Sequence, residues 1–222
     1  MADCESLRQM MVERQIIRRG VGDPRLWDAM RRVPRERFVP DDLQSFAYED
    51  RPLPVEAGQT ISQPYIVARM IAAAAIGPED RVLEVGAGSG YAAAVMSRLA
   101  AHVFAVERIA ELAALAEGRI SALGYANVSI SIGDGTVGWQ EEAPFDTILV
   151  AAGGPGVPPP LREQLTIGGR LVMPVGDGGE QQLVRIIRKG EEDFDVKMLE
   201  PVRFVPLIGA HGWSDGTVTF KL

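Results

Sequence analysis

The run Val82-Leu83-Glu84-Val85-Gly86-Ala87-Gly88-Ser89-Gly90-Tyr91 decides the fold. Arg81 to Val85 reads as a strand, and its near-continuous apolar character suits a sheet covered on both faces. The alternate glycines let the backbone turn sharply and let a ligand lie against it. Tyr91 to Leu99 then reads as a helix, whose first turn would present free N–H groups and a partial positive charge. Strand, glycine turn and helix in this order open a βαβ unit of the kind that holds nucleotide-like ligands.

The same rhythm continues on the C-terminal side. Strands are expected at 102–106, 128–132, 145–151, 169–175, 182–188 and 196–204, with helices at 109–123 and 161–165. On the N-terminal side, Leu7, Met10, Met11, Ile16 and Ile17 fit an amphipathic helix ending near Gly20. Asp23-Pro24 signals a second helix start, running to Pro34. Arg37 to Pro64 is Pro- and Gly-interrupted and reads as a long functional loop, and a helix follows over about 65–75. The expected fold is α/β and Rossmann-like: a seven-stranded, mostly parallel sheet with helices on both faces, plus an N-terminal helical and loop extension. Residues 1–78 would form that extension, 79–210 the ligand-binding core and 211–222 a tail, all in one globular domain.

Composition narrows the function. The chain has 222 residues, 46% hydrophobic and 24% charged, as in ordinary globular domains. A net charge of -7 argues against a nucleic-acid partner, which needs clustered Lys and Arg. One cysteine, Cys4, cannot form an internal disulfide, and the separated His102 and His211 do not build a metal site. The N-terminal residues carry Asp3 and Glu5 and no apolar run, so no secretory signal is read there. Ile66 to Ile76 is too short, and interrupted by Arg69, to span a bilayer. A cytoplasmic monomer with no membrane partner is expected.

The glycine turn excludes two ligands. A P-loop needs Lys after its last glycine, and none follows Gly90. A dinucleotide site wants its third glycine one place later, where Tyr91 stands. The pattern Glu84-x-Gly86-x-Gly88-x-Gly90 instead resembles motif I of class I methyltransferases, which bind S-adenosylmethionine and release S-adenosylhomocysteine. Gly86, Ala87, Gly88, Ser89 and Gly90 would then lie against the cofactor. Glu84 would meet its ammonium group, directly or through water. The competing reading of Glu84 is an ion pair with Arg81. Glu107, with Arg108 beside it, closes the second strand roughly 20 residues beyond the glycine turn, where an acid can accept from two ribose hydroxyls. It reads equally as an acid favouring a helix start. Asp134, with Gly135 and Thr136, follows the third strand. In class I methyltransferases an acid there commonly bonds the adenine amino group, and Asp-Gly is also ordinary turn chemistry.

Further motifs make the resemblance more specific. Gln59-Thr60-Ile61-Ser62-Gln63-Pro64-Tyr65 looks like the segment preceding motif I in protein-L-isoaspartate O-methyltransferases. Asp134-Gly135-Thr136-x-Gly138-Trp139 resembles that family's adenine loop, and Arg203-Phe204-Val205-Pro206-Leu207 its C-terminal signature. Arg35-x-x-Phe38-Val39-Pro40 and Tyr48-x-Asp50-x-Pro52-Leu53-Pro54 are similar to its N-terminal region. The resemblance implies methylation of the free α-carboxylate of L-isoaspartyl residues in damaged proteins and peptides, with S-adenosylmethionine as cofactor. It implies Ser62 as the residue that orients the carboxylate, Thr60 and Ile61 beside the cofactor, and Gln63, Pro64, Tyr65, Val205, Pro206 and Leu207 on the substrate side. A helix-cap role is the alternative for Ser62. An extended Val205 to Leu207 edge could receive substrate backbone. The chain departs from the family at Tyr65, often His there, at Ile208, where some members carry Thr, and at Val150-Ala151-Ala152-Gly153-Gly154-Pro155. These bear on peptide selectivity. Gly209 to Leu222 matches no family motif. The competing functions are another class I methyltransferase, an NAD-dependent oxidoreductase and a binding module without turnover.

Overall fold

The computed structural model describes residues 3–177 and 180–215. Helix α1 (Cys4–Met11) is capped by Asp3 and runs into a widened π-turn over Val12–Ile17, so the first helical segment is two pieces, closed near Gly20. Asp23 caps α2 (Pro24–Arg32), as the Asp-Pro pair implies. The expected long loop holds two short 3-10 turns and a small antiparallel pair, β1 (Leu53–Pro54) and β2 (Thr60–Ile61). The turn between them needs Ala57 in left-handed space (φ 55°), which sequence patterning does not announce. Helix α3 (Pro64–Ala74) follows directly.

The core then alternates β3 (Arg81–Val85), α4 (Tyr91–Met96), β4 (His102–Glu107), α5 (Ala110–Ala122), β5 (Val128–Ile132) and β6 (Phe145–Val150). It continues with α6 (Pro159–Glu163), β7 (Leu165–Gly176), β8 (Gln181–Arg188) and β9 (Phe194–Val202). The seven-stranded sheet has the order β5-β4-β3-β6-β7-β8-β9. Pairings from β5 across to β7 are parallel, and the two involving β8 are antiparallel. Strand β3 sits between β4 and β6, so the chain reverses its direction of travel across the sheet there. Ligands in open α/β sheets bind at such a switch point, outside the carboxyl ends of the strands.

Alternation along the strands sorts side chains to two faces. Val82, Val103, Leu149, Val172 and Leu183 join one buried cluster with Met11, Ile16, Leu26, Met30, Phe38 and residues of α3, α4 and α5. The N-terminal extension therefore shares its core with the sheet. Leu83, Val85, Phe104, Ile148, Val150, Leu171 and Met173 face the other way, under α6 and its flanking loops.

Several boundaries differ from expectation, and α4 stops at Met96 instead of reaching Leu99. Strand β7 starts at Leu165, and the helix expected at 161–165 lies two residues earlier, over Pro159–Glu163. The register against β6 jumps from Phe145↔Leu165 to Thr147↔Arg170 across a bulge containing Gly168, at φ 86°. Strand β9 ends at Val202, leaving Arg203 to Leu207 outside it. Of the expected tail, residues 211–215 fold back on the core: Trp213 N–H donates to the Leu207 carbonyl and its indole N–H to the Gly153 carbonyl, at 2.7 and 3.0 Å. Residues 216–222 of that tail lie outside the described residues.

Candidate active site

Strand ends and loops meet in a cavity of about 310 Å³ at the switch point. Its floor is the glycine turn. Gly86 and Ala87 donate to the Val106 carbonyl at 2.8 and 3.3 Å, which fastens the turn to the end of β4. Gly86, Gly88 and Gly90 all take positive φ, the conformation that selects glycine. Gly135 closes against β3: a Cβ there would stand 2.5 Å from Val85 Cγ1.

Glu107 is buried at the end of β4. Its carboxylate accepts from Gly88 N–H (2.9 Å) and Ile109 N–H (3.0 Å), so it braces the glycine turn and the approach to α5 together. Each oxygen keeps a further lone pair for a diol. Glu84 differs. It is 1% exposed, lines the cavity, and its Oε2 has no hydrogen-bond partner. Burial drives its carboxyl well above the ordinary carboxylate range, the nearby Glu107 adds to that, and a backbone contact from Ala93 only partly offsets it. The alternative ion pair does not form, because Arg81 binds Glu142 at 3.0 Å and stacks on Phe104. An orphaned buried carboxyl oxygen beside a cleft suits a ligand ammonium, so Glu84 fits the amino end of an S-adenosylmethionine-type ligand.

Ser62 lines the same cavity, together with Thr60 and Ile61. It does not cap α3, whose cap residue is Gln63, without a side-chain bond. Among the described residues its hydroxyl bonds to none, and it remains free to meet a ligand. Arg108 also lines the cavity and pairs with the exposed Asp215 at 3.0 Å.

Ala87, Ser89, Val205, Pro206 and Leu207 reach the cavity as expected. Gln63, Pro64, Tyr65, Gly90, Asp134 and Thr136 lie outside its lining. Tyr65 is stacked under Arg19, whose guanidinium carbon is 3.3 Å from the ring centroid. Asp134 is committed to its own loop and to the returning C-terminal segment. Oδ1 accepts from the Thr136 N–H and hydroxyl at 2.8 and 2.7 Å, and Oδ2 from Ala210 N–H at 2.7 Å. Partial burial alone would raise its carboxyl, but the bonds from Ala210 and Thr136 outweigh that and hold it below the usual range. Val205 and Leu207 spend a carbonyl and an N–H on Gly153, each at 2.8 Å, which leaves less of this edge for a substrate strand than an unpaired segment would offer. Sequence reasoning missed Tyr91, Ile109, Leu112, Ala151 and Ala152, which supply apolar walls. Ile109, Ala151 and Ala152 lie one or two residues past the ends of β4 and β6, whereas Tyr91 and Leu112 sit in the first turns of α4 and α5.

A glycine cradle, a buried acid with an unpartnered oxygen and a second buried acid at the end of β4, all at one switch point of this sheet, define a class I S-adenosylmethionine-dependent methyltransferase. The sequence model of the protein-L-isoaspartate(D-aspartate) O-methyltransferase family matches residues 6–212, and the chain belongs to that family. It is 58% identical over 205 residues to a protein-L-isoaspartate O-methyltransferase of Rhodopseudomonas palustris, covering 92% of this chain and 94% of that one. A relative of the same name from Protochlamydia amoebophila is 54% identical, with 92% and 98% covered. Among solved structures, a protein-L-isoaspartate O-methyltransferase superposes with TM-score 0.83 at 30% identity, covering 95% of this chain and 67% of that one. A Plasmodium falciparum structure assigned to the same family, in complex with S-adenosyl-L-homocysteine, gives TM-score 0.78 at 26% identity, with 90% and 98% covered.

Proposed function

We propose that the cavity methylates the free α-carboxylate of L-isoaspartyl residues in damaged proteins and peptides, with Ser62 as the orienting group. The observation that supports this reading is the pairing, in one cavity, of Ser62, whose hydroxyl no group among the described residues occupies, with the Glu84–Glu107 cradle. S-Adenosylmethionine, when bound, supplies an electrophilic methyl group on a positively charged sulfur. Glu84 would hold its ammonium, Glu107 its ribose, and the glycine turn its backbone-facing edge. The apolar walls Ile61, Tyr91 and Leu112 keep water from the transfer path.

No side chain here needs to act as a base. An α-carboxylate has a pKa of about 3.3–3.7 and is already ionised at neutral pH. The carboxylate oxygen would itself be the nucleophile toward the methyl group that bound S-adenosylmethionine supplies, so the chain has no proton to move. The chain's task is alignment. A neutral hydroxyl suits that task, because a cation against the carboxylate would hold its electrons too tightly to react. Asp134 would stabilise the adenine end through its hold on Thr136 and Ala210. Gln63, Pro64 and Tyr65 would flank the incoming peptide. Among the described residues no helix is long and apolar enough to cross a membrane, and a cytoplasmic site of action belongs to this reading.

A chromatographic time course tests it. An isoaspartyl peptide with S-adenosylmethionine should yield a methyl ester, then a succinimide, then a mixture of aspartyl and isoaspartyl forms. A peptide recovered without ester would refute the assignment.

A further inference from the structure

Arg35 is the least expected side chain in the molecule. It lies in the 3-10 turn Arg35–Phe38 and is 0% exposed. Burying a guanidinium is costly unless it is paired, yet among the described residues no carboxylate forms an ion pair with it. Its partners are backbone carbonyls: Nε donates to Ala47 O and Nη2 to Ser62 O, both at 2.8 Å. The guanidinium carbon also stands 4.8 Å from the centroid of the Tyr91 ring, a cation–π contact inside the protein. Nη1 and the Tyr91 hydroxyl are both buried without a partner. Burial lowers the guanidinium to about 10, so it stays charged at neutral pH.

These contacts join three separate segments. Ala47 follows the second 3-10 turn of the extension, Ser62 follows β2 and lines the cavity, and Tyr91 opens α4 directly behind Gly90. Stability alone gives little reason for a cation here, since well-packed apolar residues can replace buried charges without loss. A planar fork that takes two carbonyls and stacks on a ring does fix geometry, which an aliphatic side chain cannot. What it fixes is the Ser62 backbone against the first residue of the cofactor-side helix.

We infer that Arg35 is a positioning residue for methyl transfer: by holding the Ser62 carbonyl beside Tyr91, it sets the distance between the Ser62 hydroxyl and the glycine cradle. This rests on the role proposed for Ser62. Because a misplacement of about 1 Å can cost about 100-fold in rate, the effect belongs in turnover and not in cofactor affinity.

The test is R35K, which keeps the charge and loses the fork. Circular dichroism and melting establish that it folds, and calorimetry with S-adenosylhomocysteine reads the cradle. The expected result is a dissociation constant within about twofold of wild type, with kcat on an isoaspartyl peptide down at least about tenfold. Folded R35K with wild-type kcat overturns the inference, as does a kcat loss that only tracks lost cofactor binding. If R35K does not fold, Tyr91→Leu removes the stacking face and must lower kcat at saturating cofactor; an unchanged kcat there overturns the inference as well. The wild-type rate on the same peptide tests the functional reading separately: methylation by wild type with an equal rate in R35K defeats the positioning role alone.

Discussion

Glu84→Gln should weaken cofactor binding while stabilising the free protein. In the free protein Oε2 is buried and unpartnered, and the carboxyl sits well above its ordinary range. Ligand ammonium would supply the missing partner and favour the ionised form. Losing a hydrogen bond between charged groups costs about 1.5–3 kcal/mol, which at about 1.4 kcal/mol per decade is about 12- to 140-fold in the dissociation constant of S-adenosylhomocysteine. The linkage also carries a sign. Below its raised free-state pKa the wild type holds a proton on Glu84 that the complex gives up, so in that range binding releases protons and tightens as pH rises. Stability of the free protein runs the other way. Below the unfolded glutamate value of about 4.3 both states are protonated and nothing is lost. Above it the unfolded chain ionises while Glu84 in the fold does not, so stability falls with rising pH until the folded-state pKa is reached. Titration calorimetry in two buffers of different ionisation enthalpy measures the released protons, and melting curves across pH measure the slope. E84Q should lose both the proton release and that contribution to the slope. Affinity within twofold of wild type, with no proton released by either protein, would refute the reasoning.

Ser62→Ala should lower kcat by about 2- to 12-fold, the worth of one neutral hydrogen bond at about 0.5–1.5 kcal/mol, with cofactor affinity unchanged by calorimetry. Asp134→Asn sets an amide against Ala210 N–H, and hydrogen exchange should show Ala210 to Trp213 released. Since the folded Asp134 carboxyl is depressed, its stabilisation is present above the unfolded value of about 3.9 and is lost as pH falls through the folded one; acid-unfolding curves of the variant should lack that contribution. Gly135→Ala places a Cβ 2.5 Å from Val85 Cγ1 and should cost about 1–3 kcal/mol by denaturant titration, partly recovered in a double variant with Val85→Ala.

The parts of the fold legible in the sequence are those set by local pattern. Val82, Leu83 and Val85, with Ile148, Leu149 and Val150, are apolar because both sheet faces are covered, and Gly86, Gly88 and Gly90 are glycines because each φ is positive. Glu84, Glu107 and Ser62 could be placed because strand ends converge by topology. What stayed hidden depends on distant contacts. Nothing local marks Arg35 as buried, because the carbonyls it serves lie at Ala47 and Ser62. The early start of β7 is set by pairing with Phe145 across a bulge that, in sequence, looks like a Gly168-Gly169 turn. The bond from Ala210 N–H to Asp134 was hidden because the two lie 76 positions apart, with Ala210 in a stretch without a recognisable motif.

The most direct measurement is competition between an isoaspartyl peptide and its normal aspartyl twin for labelled methyl from S-adenosylmethionine. Base-labile label confined to the isoaspartyl peptide is the predicted result. Equal label in both, or none in either, would contradict the account.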